Sequence, residues 1–182
     1  MFNHSRKAFR LVSLVLAAVL MMSVAGSALA AGSPMTEWSS DTFSFSFGGG
    51  EWYEMGETSG VKYYCKNNQL SMNGAFLVTE TELPVDTSTL GDDMINTLYD
   101  TLINGLATSA VDKKVNSSDA TIAGVKARFF DYKQDTGTVL HVYGFGVLKG
   151  NKVLLVCYID QSSSDDAVQQ KIKDVADTVV AK

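Results

Sequence analysis

Residues 138–159 read TVLHVYGFGVLKGNKVLLVCYI and predict a β-hairpin. Lys149-Gly150-Asn151 is typical of the tight turn that joins two such strands. Residues 139–143 before the turn and 153–157 after it are apolar at nearly every position. A strand that is apolar on both faces needs cover on both sides, so the hairpin is expected in the middle of a sheet that lies between two other layers.

Further strands are predicted on the N-terminal side of this hairpin. Phe43, Phe45 and Phe47 alternate with hydroxyl residues, which is the two-residue period of a strand with one buried face. Gly48-Gly49-Gly50 interrupts the pattern, and Glu51-Trp52-Tyr53 resumes it. The same reasoning predicts strands at 61–65 and 69–83, with a turn at Asn67-Asn68, and at 112–130.

Two segments have the spacing of amphipathic helices. Met94, Leu98 and Leu102 recur every four residues and predict a helix over 89–109, capped by Ser88 or Thr89. A second apolar stripe predicts a C-terminal helix that starts at 162–166 and lies on the sheet; it consists of Val168, Ile172, Val175 and Val179. The sequence thus predicts an α+β fold: an antiparallel sheet of about six strands, one helix after the third strand, and one C-terminal helix.

The first 30 residues have the pattern of a secretory signal peptide. Arg6, Lys7 and Arg10 precede an apolar run, and Ala28 and Ala30 fit the small-residue rule for cleavage after Ala30. The alternative is an uncleaved membrane anchor, but the run is at or below the roughly 20 residues that span a bilayer. We expect a flexible lead-in over 31–40 and one domain over 41–182, without a further membrane span.

Charge argues against nucleic acid as a partner. Cleavage after Ala30 would remove three basic residues and no acidic one, which changes the net charge from −5 to −8. Binding to nucleic acid or to anionic lipid requires basic patches. We therefore expect a secreted or cell-envelope protein whose partner is a protein, a peptide or an envelope component.

No catalytic, metal-binding or cofactor-binding motif stands out. His141 is the one histidine after residue 30, and it lies within a predicted strand. One histidine and two distant cysteines do not form a zinc-binding set. Gly144-Phe145-Gly146 lies inside a strand with no helix after it, so it indicates close packing or a bend and not a dinucleotide-binding turn.

Cys65 and Cys157 leave two interpretations open. An exported protein with two cysteines invites a disulfide between them. Alternatively, both are inert buried thiols, since each shares a strand face with apolar residues and free cysteine is often buried.

Trp52 and Tyr53, together with Trp38, are candidates for an exposed aromatic contact surface. The alternative for Trp52 is that its ring closes one end of the core.

The order of elements and several short motifs resemble the PsbP-like family. These motifs are the Phe-x-Phe strand leading into Gly50-Glu51-Trp52, the Gly124–Ala127 strand after the first helix, and the long hairpin before the last helix. The resemblance implies an α/β/α sandwich on an antiparallel sheet, as in photosystem II extrinsic proteins and a Ran-binding import factor. It also implies a binding or assembly module and not an enzyme.

Three functions are therefore compatible with the sequence. The first is a secreted, non-enzymatic binding module of unknown ligand. The second is a small-molecule carrier with a pocket between the sheet and the helix at 89–109. The third is a hydrolase whose active-site residues meet only in three dimensions, because paired carboxylates can come from distant segments.

Overall fold

The structure, a computed structural model, describes residues 33–58, 60–66, 71, 73–106, 110–135, 137–161 and 165–182. Several sequence predictions lie outside these residues: the signal peptide over 1–30, the turn at Asn67-Asn68, the end of the first helix over 107–109, and the start of the second at 162–164.

Within the described residues the chain forms ten strands and two α-helices. The elements are β1 Glu37–Ser39, β2 Phe43–Ser46, β3 Trp52–Thr58, β4 Val61–Lys66, β5 Ala75–Glu82, α1 Asp92–Leu106, β6 Asn116–Ile122, β7 Val125–Asp135, β8 Val139–Lys149, β9 Lys152–Asp160, α2 Asp165–Ala176 and β10 Val180–Ala181.

The main sheet is antiparallel and is built around the predicted hairpin. Its strand order is β3-β4-β5-β9-β8-β7-β6. Strands β8 and β9 pair continuously from His141↔Asp160 to Lys149↔Lys152, and Gly150 completes the turn between them at φ +56°. This register confirms the predicted hairpin near the centre of the sheet.

Each face of the main sheet is covered by a different layer. On the α1 face, Leu140, Val142 and Leu155 pack with Leu98 and Leu102 of the helix. On the opposite face, which we call the α2 face, Phe145, Val147 and Val156 pack with apolar residues of α2. The alternation of side chains along a strand therefore sends successive residues into two separate cores.

A small second sheet shares the α2 face. Strands β1 and β10 pair with the two sides of β2, so the order is β1-β2-β10. Trp38 of β1 stacks on Phe45 with ring centroids 5.4 Å apart. Because residues 37–39 form this strand, they differ from the flexible lead-in that was predicted over 31–40.

The prediction of about six strands and a helix after the third strand is wrong in detail. Strand β2, Phe43–Ser46, lies outside the main sheet. Gly48, Gly49 and Gly50 all have positive φ and turn the chain between β2 and the first strand of the main sheet, β3. With β1 and β2 as separate strands, α1 follows the fifth strand.

The helix ends also differ from the prediction. Ser88 and Thr89 belong to a 3-10 turn at Thr87–Thr89, which Asp86 caps by accepting from the Ser88 backbone N–H at 2.9 Å. Helix α1 therefore begins at Asp92. At the C-terminus, α2 ends at Ala176 because the following residues turn back to pair with β2.

Candidate functional site

A half-open groove lies on the α2 face, between the helix and the end of the sheet formed by β6, β7 and β8. Its volume is about 220 Å³. The residues that line it come from four separate segments: Asn116, Ser117, Ser118, Phe129, Phe130, Asp131, Tyr143, Gly144, Gln169, Ile172 and Lys173.

Strand register builds the floor of the groove. Asp131 of β7 lies opposite Tyr143 of β8, and Phe129 lies opposite Phe145. Residues two apart on one strand face the same side, so Phe129, Asp131 and Tyr143 all face α2. Tyr143 is buried and Phe129 is half-buried, which gives an aromatic floor that is partly open to solvent.

The two walls of the groove are polar. Ile172 packs into the core beneath α2, and its neighbours Gln169 and Lys173 line the helix side of the groove. On the strand side, the Asn116 Nδ2 atom donates a hydrogen bond to Asp131 Oδ2 at 2.8 Å. An aromatic floor between polar walls that carry both donors and acceptors is typical of a recognition site.

Strand β6 forms an edge of the sheet directly beside this groove. All seven of its residues pair with β7 on one side, and among the described residues no strand pairs with its other side. Residues 116–119 are exposed. The strand contains no lysine, no proline and no bulge, which are features that commonly protect an edge from pairing with another chain, and its one charged side chain, Asp119, is bound by Arg128.

The opposite edge, β3, is partly covered. Met35 and Trp52 exchange two backbone hydrogen bonds of 2.8 and 2.9 Å. A bulge between Glu54 and Gly56 also interrupts the regular pairing of β3 with β4. The two edges of the main sheet are therefore unequal, and β6 is the one with a regular, accessible backbone.

Arg128 of β7 fixes the position of β6 from the α1 face. Its Nε donates to Asp119 Oδ1 of β6 at 2.8 Å, and Nη1 donates to Asp100 of α1. Its guanidinium group also lies 5.4 Å from the ring centroid of Tyr99. Burial lowers the pKa of Arg128, but the hydrogen bonds to both carboxylates outweigh it and raise the pKa overall. This contact joins α1, β6 and β7.

The aromatic residues predicted as a contact surface do not lie in the groove. Trp52 is fully buried, with its ring 4.7 Å from that of Phe76, so it closes one end of the core and offers no surface to a partner. Tyr53 is half-buried on β3 and donates its hydroxyl to Glu51 at 3.0 Å; this hydrogen bond raises its pKa. Trp38 is buried in the small sheet.

Cys65 and Cys157 are both free and buried. Strand β5 lies between β4 and β9, and strands two apart are separated by about 9.6 Å, more than the roughly 7 Å that a disulfide spans between Cα atoms. Of the two interpretations left open by the sequence, the structure agrees with two buried thiols and not with a disulfide. Burial raises the pKa of Cys65 and raises that of Cys157 to about 12.

Among the residues described, no group of three or more His, Cys, Asp or Glu side chains could hold a metal ion. Neither α1 nor any other helix in the described part of the chain has the length and apolar character needed to cross a membrane.

Sequence reasoning missed the groove because no single segment contains it. Asn116, Phe129, Tyr143 and Lys173 are brought together by the β6–β7–β8 register and by the placement of α2. One signal was visible: residues 116–119 are all polar at the start of a strand, as expected for an exposed edge.

Comparisons with known proteins define the fold. No protein-family model and no curated protein matches the chain. A protein of Bacteroides thetaiotaomicron VPI-5482 has a similar crystal structure, with a TM-score of 0.54 at 15% identity. That match covers 81% of this chain and 48% of the other, so this chain spans about half the length of that protein.

The solution structure of cyanobacterial PsbP (CyanoP) from Synechocystis sp. PCC 6803 is similar over nearly its whole length. The TM-score is 0.55 at 14% identity, and the match covers 88% of this chain and 97% of CyanoP. At this level of identity the similarity concerns the fold alone. The chain therefore has the PsbP-like fold that the sequence resemblance implied.

Proposed function

We propose that this protein is an extracytoplasmic, non-enzymatic binding module that takes up an extended segment of a partner polypeptide along β6. The observation that carries this proposal is the regular, unprotected edge of β6 beside the groove. The extracytoplasmic location rests on the pattern of residues 1–30.

An extended peptide fits this edge for two physical reasons. Its backbone can continue the hydrogen-bond ladder of the sheet, which supplies affinity without regard to sequence. Its alternate side chains would then point toward the α2 face, where Ser118 is small enough to let a long side chain pass toward Phe129. Specificity would come from the aromatic floor and the polar walls.

The size of the groove favours surface recognition over a carrier function. Sites that enclose a small molecule usually have volumes of about 300–1,000 Å³. The groove holds about 220 Å³ and is half-open. It also lies beside α2, whereas the carrier hypothesis places the pocket under the helix at 89–109.

Two matched tryptophan substitutions test the proposal. Ser118→Trp places a large ring in the groove, while Thr121→Trp places the same ring at an exposed position of β6 that lies outside the groove. The wild-type protein would be used to select peptides from a random displayed library, and the affinity of the selected peptides would be measured for all three proteins.

We expect selected peptides to bind wild type and Thr121→Trp equally, and to bind Ser118→Trp at least about tenfold more weakly, a difference of about 1.4 kcal/mol. Amide hydrogens of residues 116–122 should also exchange more slowly in the complex, because an added strand pairs with the free side of β6. Peptides that bind all three proteins equally, without protection of β6, would rule the proposal out.

A further inference from the structure

A second polar feature lies at the other end of the α2 face, where the Gly48–Gly50 loop joins β2 to β3. The loop is tied to the helix because the Lys171 ammonium group donates to the Gly48 carbonyl oxygen at 2.6 Å. The backbone φ values of this loop are +63° at Gly48, +60° at Gly49 and +91° at Gly50. Residues other than glycine adopt such positive φ values only with strain. The backbone itself therefore forms the surface here.

Two lysine side chains meet at this loop. The Nζ atoms of Lys66 and Lys171 lie 5.2 and 5.7 Å from the ring centroid of Trp52. Burial lowers the pKa of the half-buried Lys171, and repulsion from Lys66 lowers it further. We call Lys66 and Lys171 the lysine pair.

Within the described residues, no carboxylate forms an ion pair with either member of the lysine pair. Two acids close to the loop and to Lys171 in sequence make other hydrogen bonds: Glu51 accepts from Tyr53, and Asp174 accepts from the Gln170 side chain at 2.7 Å. Asp174 raises the pKa of Lys171 only as a smaller effect than burial and Lys66. The lysine pair therefore places two positive charges side by side without an ion-pair partner among the described residues.

Hydrogen-bond donors at the loop are also left unused. In the part of the chain that the structure describes, the backbone N–H groups of Gly49 and Gly50 make no hydrogen bond. The indole N–H of Trp52 has no hydrogen-bond partner either, but its ring is fully buried, so it is not counted among the donors that a ligand reaches. Lys171 uses one ammonium hydrogen on Gly48 and keeps two others.

We propose that the lysine pair and the Gly48–Gly50 loop bind a phosphate group. A phosphate carries more than one negative charge near neutral pH and several acceptor oxygens, so it can contact two ammonium groups and the loop N–H groups together. A carboxylate has two oxygens and a single charge, and it would satisfy fewer of these donors. The site lies apart from the groove and does not depend on the peptide-binding proposal.

Inorganic phosphate is the probe for the test, with the full chain at constant ionic strength in chloride. Amide resonances of Gly48–Gly50 and the indole resonance of Trp52 would be followed by NMR during the titration. Lys66→Met removes one charge from an exposed residue and leaves the Lys171–Gly48 bond in place. Lys62→Met is the matched control, since Lys62 lies on the same strand face but pairs with Glu54 at 3.2 Å.

We expect saturable shifts at the loop, an affinity about tenfold weaker in Lys66→Met (about 1.4 kcal/mol), and no change in Lys62→Met. Acetate at the same ionic strength should give no saturable shift. The proposal is overturned if phosphate causes no shift at the loop, if both variants bind alike, or if acetate has the same effect as phosphate.

An experiment with lipid vesicles distinguishes a small phosphate compound from a lipid headgroup as the source of the phosphate. No sedimentation with vesicles of phosphatidylglycerol, or equal sedimentation of the wild type and both variants through the apolar run at 11–22 of the full chain, supports a small phosphate compound as the ligand. Sedimentation that is lost in Lys66→Met and kept in Lys62→Met would support the same site with a lipid headgroup as the source.

Discussion

Gly144 in the middle of β8 provides the sharpest test of how the α1 face is packed. A Cβ atom added there would lie 2.6 Å from Cζ of Phe130 and 2.7 Å from the backbone oxygen of Val156. Carbon atoms in contact normally lie about 3.5–4.0 Å apart. The glycine therefore makes room for the Phe130 ring to lie across the strand, and Gly144→Ala should disturb both contacts.

The loss of stability expected for Gly144→Ala depends on whether the atoms that the new Cβ meets can shift. The Phe130 ring is buried among the α1-face residues, and the Val156 oxygen belongs to the backbone of the central strand β9. Overpacking a core costs about 1–3 kcal/mol, and a clash with backbone places this site at the upper end. Alanine regains about 0.5–1 kcal/mol because glycine is unfavourable within a strand. We expect a net loss of about 2–3 kcal/mol in the free energy of unfolding.

Gly146→Ala is the matched control on the same strand and face. Its Cβ would lie 3.0 Å from Leu155 Cδ2 and 3.3 Å from Tyr99 Cε1, which are side-chain atoms that can shift. We expect it to cost about 1 kcal/mol. Urea unfolding followed by far-UV circular dichroism gives both values, and Gly144→Ala should also lower Tm by about 4–12 °C. If the two variants lose equal stability, or if Gly144→Ala loses less than about 0.5 kcal/mol, the reasoning from backbone contact is refuted.

Two further predictions use the same unfolding assay. Arg128→Met should lower the free energy of unfolding by about 2 kcal/mol, because the Arg128 side chain is 9% exposed and bonds to two carboxylates. Asp100→Asn should lower it by less than about 1 kcal/mol, because Asp100 is 64% exposed and Arg128 keeps its bond to Asp119. Equal losses in the two variants would contradict the importance of the buried Arg128 side chain. Burial raises the pKa of Cys157 from 9.0 to about 12, so the unfolded chain releases this proton first and the free energy of unfolding should fall as pH rises above 9, by up to about 1.4 kcal/mol per pH unit. The Cys157→Ala variant should show a shallower fall between pH 9 and 10, and an identical pH dependence would argue against a buried thiol.

The central hairpin could be predicted because its signal is local. Every residue of 153–157 is apolar and a turn sequence stands at Lys149–Asn151, so neither strand identity nor central position depended on distant partners. The close packing expected at Gly144-Phe145-Gly146 was also confirmed, since added Cβ atoms there would meet Phe130 and Leu155 at 3.0 Å or less.

The small sheet was missed because two of its three strands, β1 and β10, are too short to carry a pattern. Val180–Ala181 becomes a strand only because it pairs with β2, and Val179 just before it belongs to the apolar stripe that predicted a helix beyond Ala176. Trp52 shows the same limit: its burial depends on Phe47 and Phe76, which come from two other segments. Where contacts between distant segments decide whether a residue is buried or a segment forms a strand, composition and periodicity alone do not predict the structure.

The two proposed binding features lie where the packed interior ends. Packed side chains cover most of both faces of β8 and β9, so a ligand reaches β8 only where Tyr143 and Gly144 line the groove, and the polar groups of the two proposed sites lie around that groove and at the loop before β3. Stability and binding should then depend on different residues. Substitution of Gly146, which does not line the groove, should lower stability and leave peptide and phosphate affinity unchanged in the folded protein, while exposed positions such as Ser118 and Lys66 should affect binding with little loss of stability. A loss of binding at Ser118 or Lys66 without a change in the urea midpoint can therefore be read as the loss of a contact and not as partial unfolding.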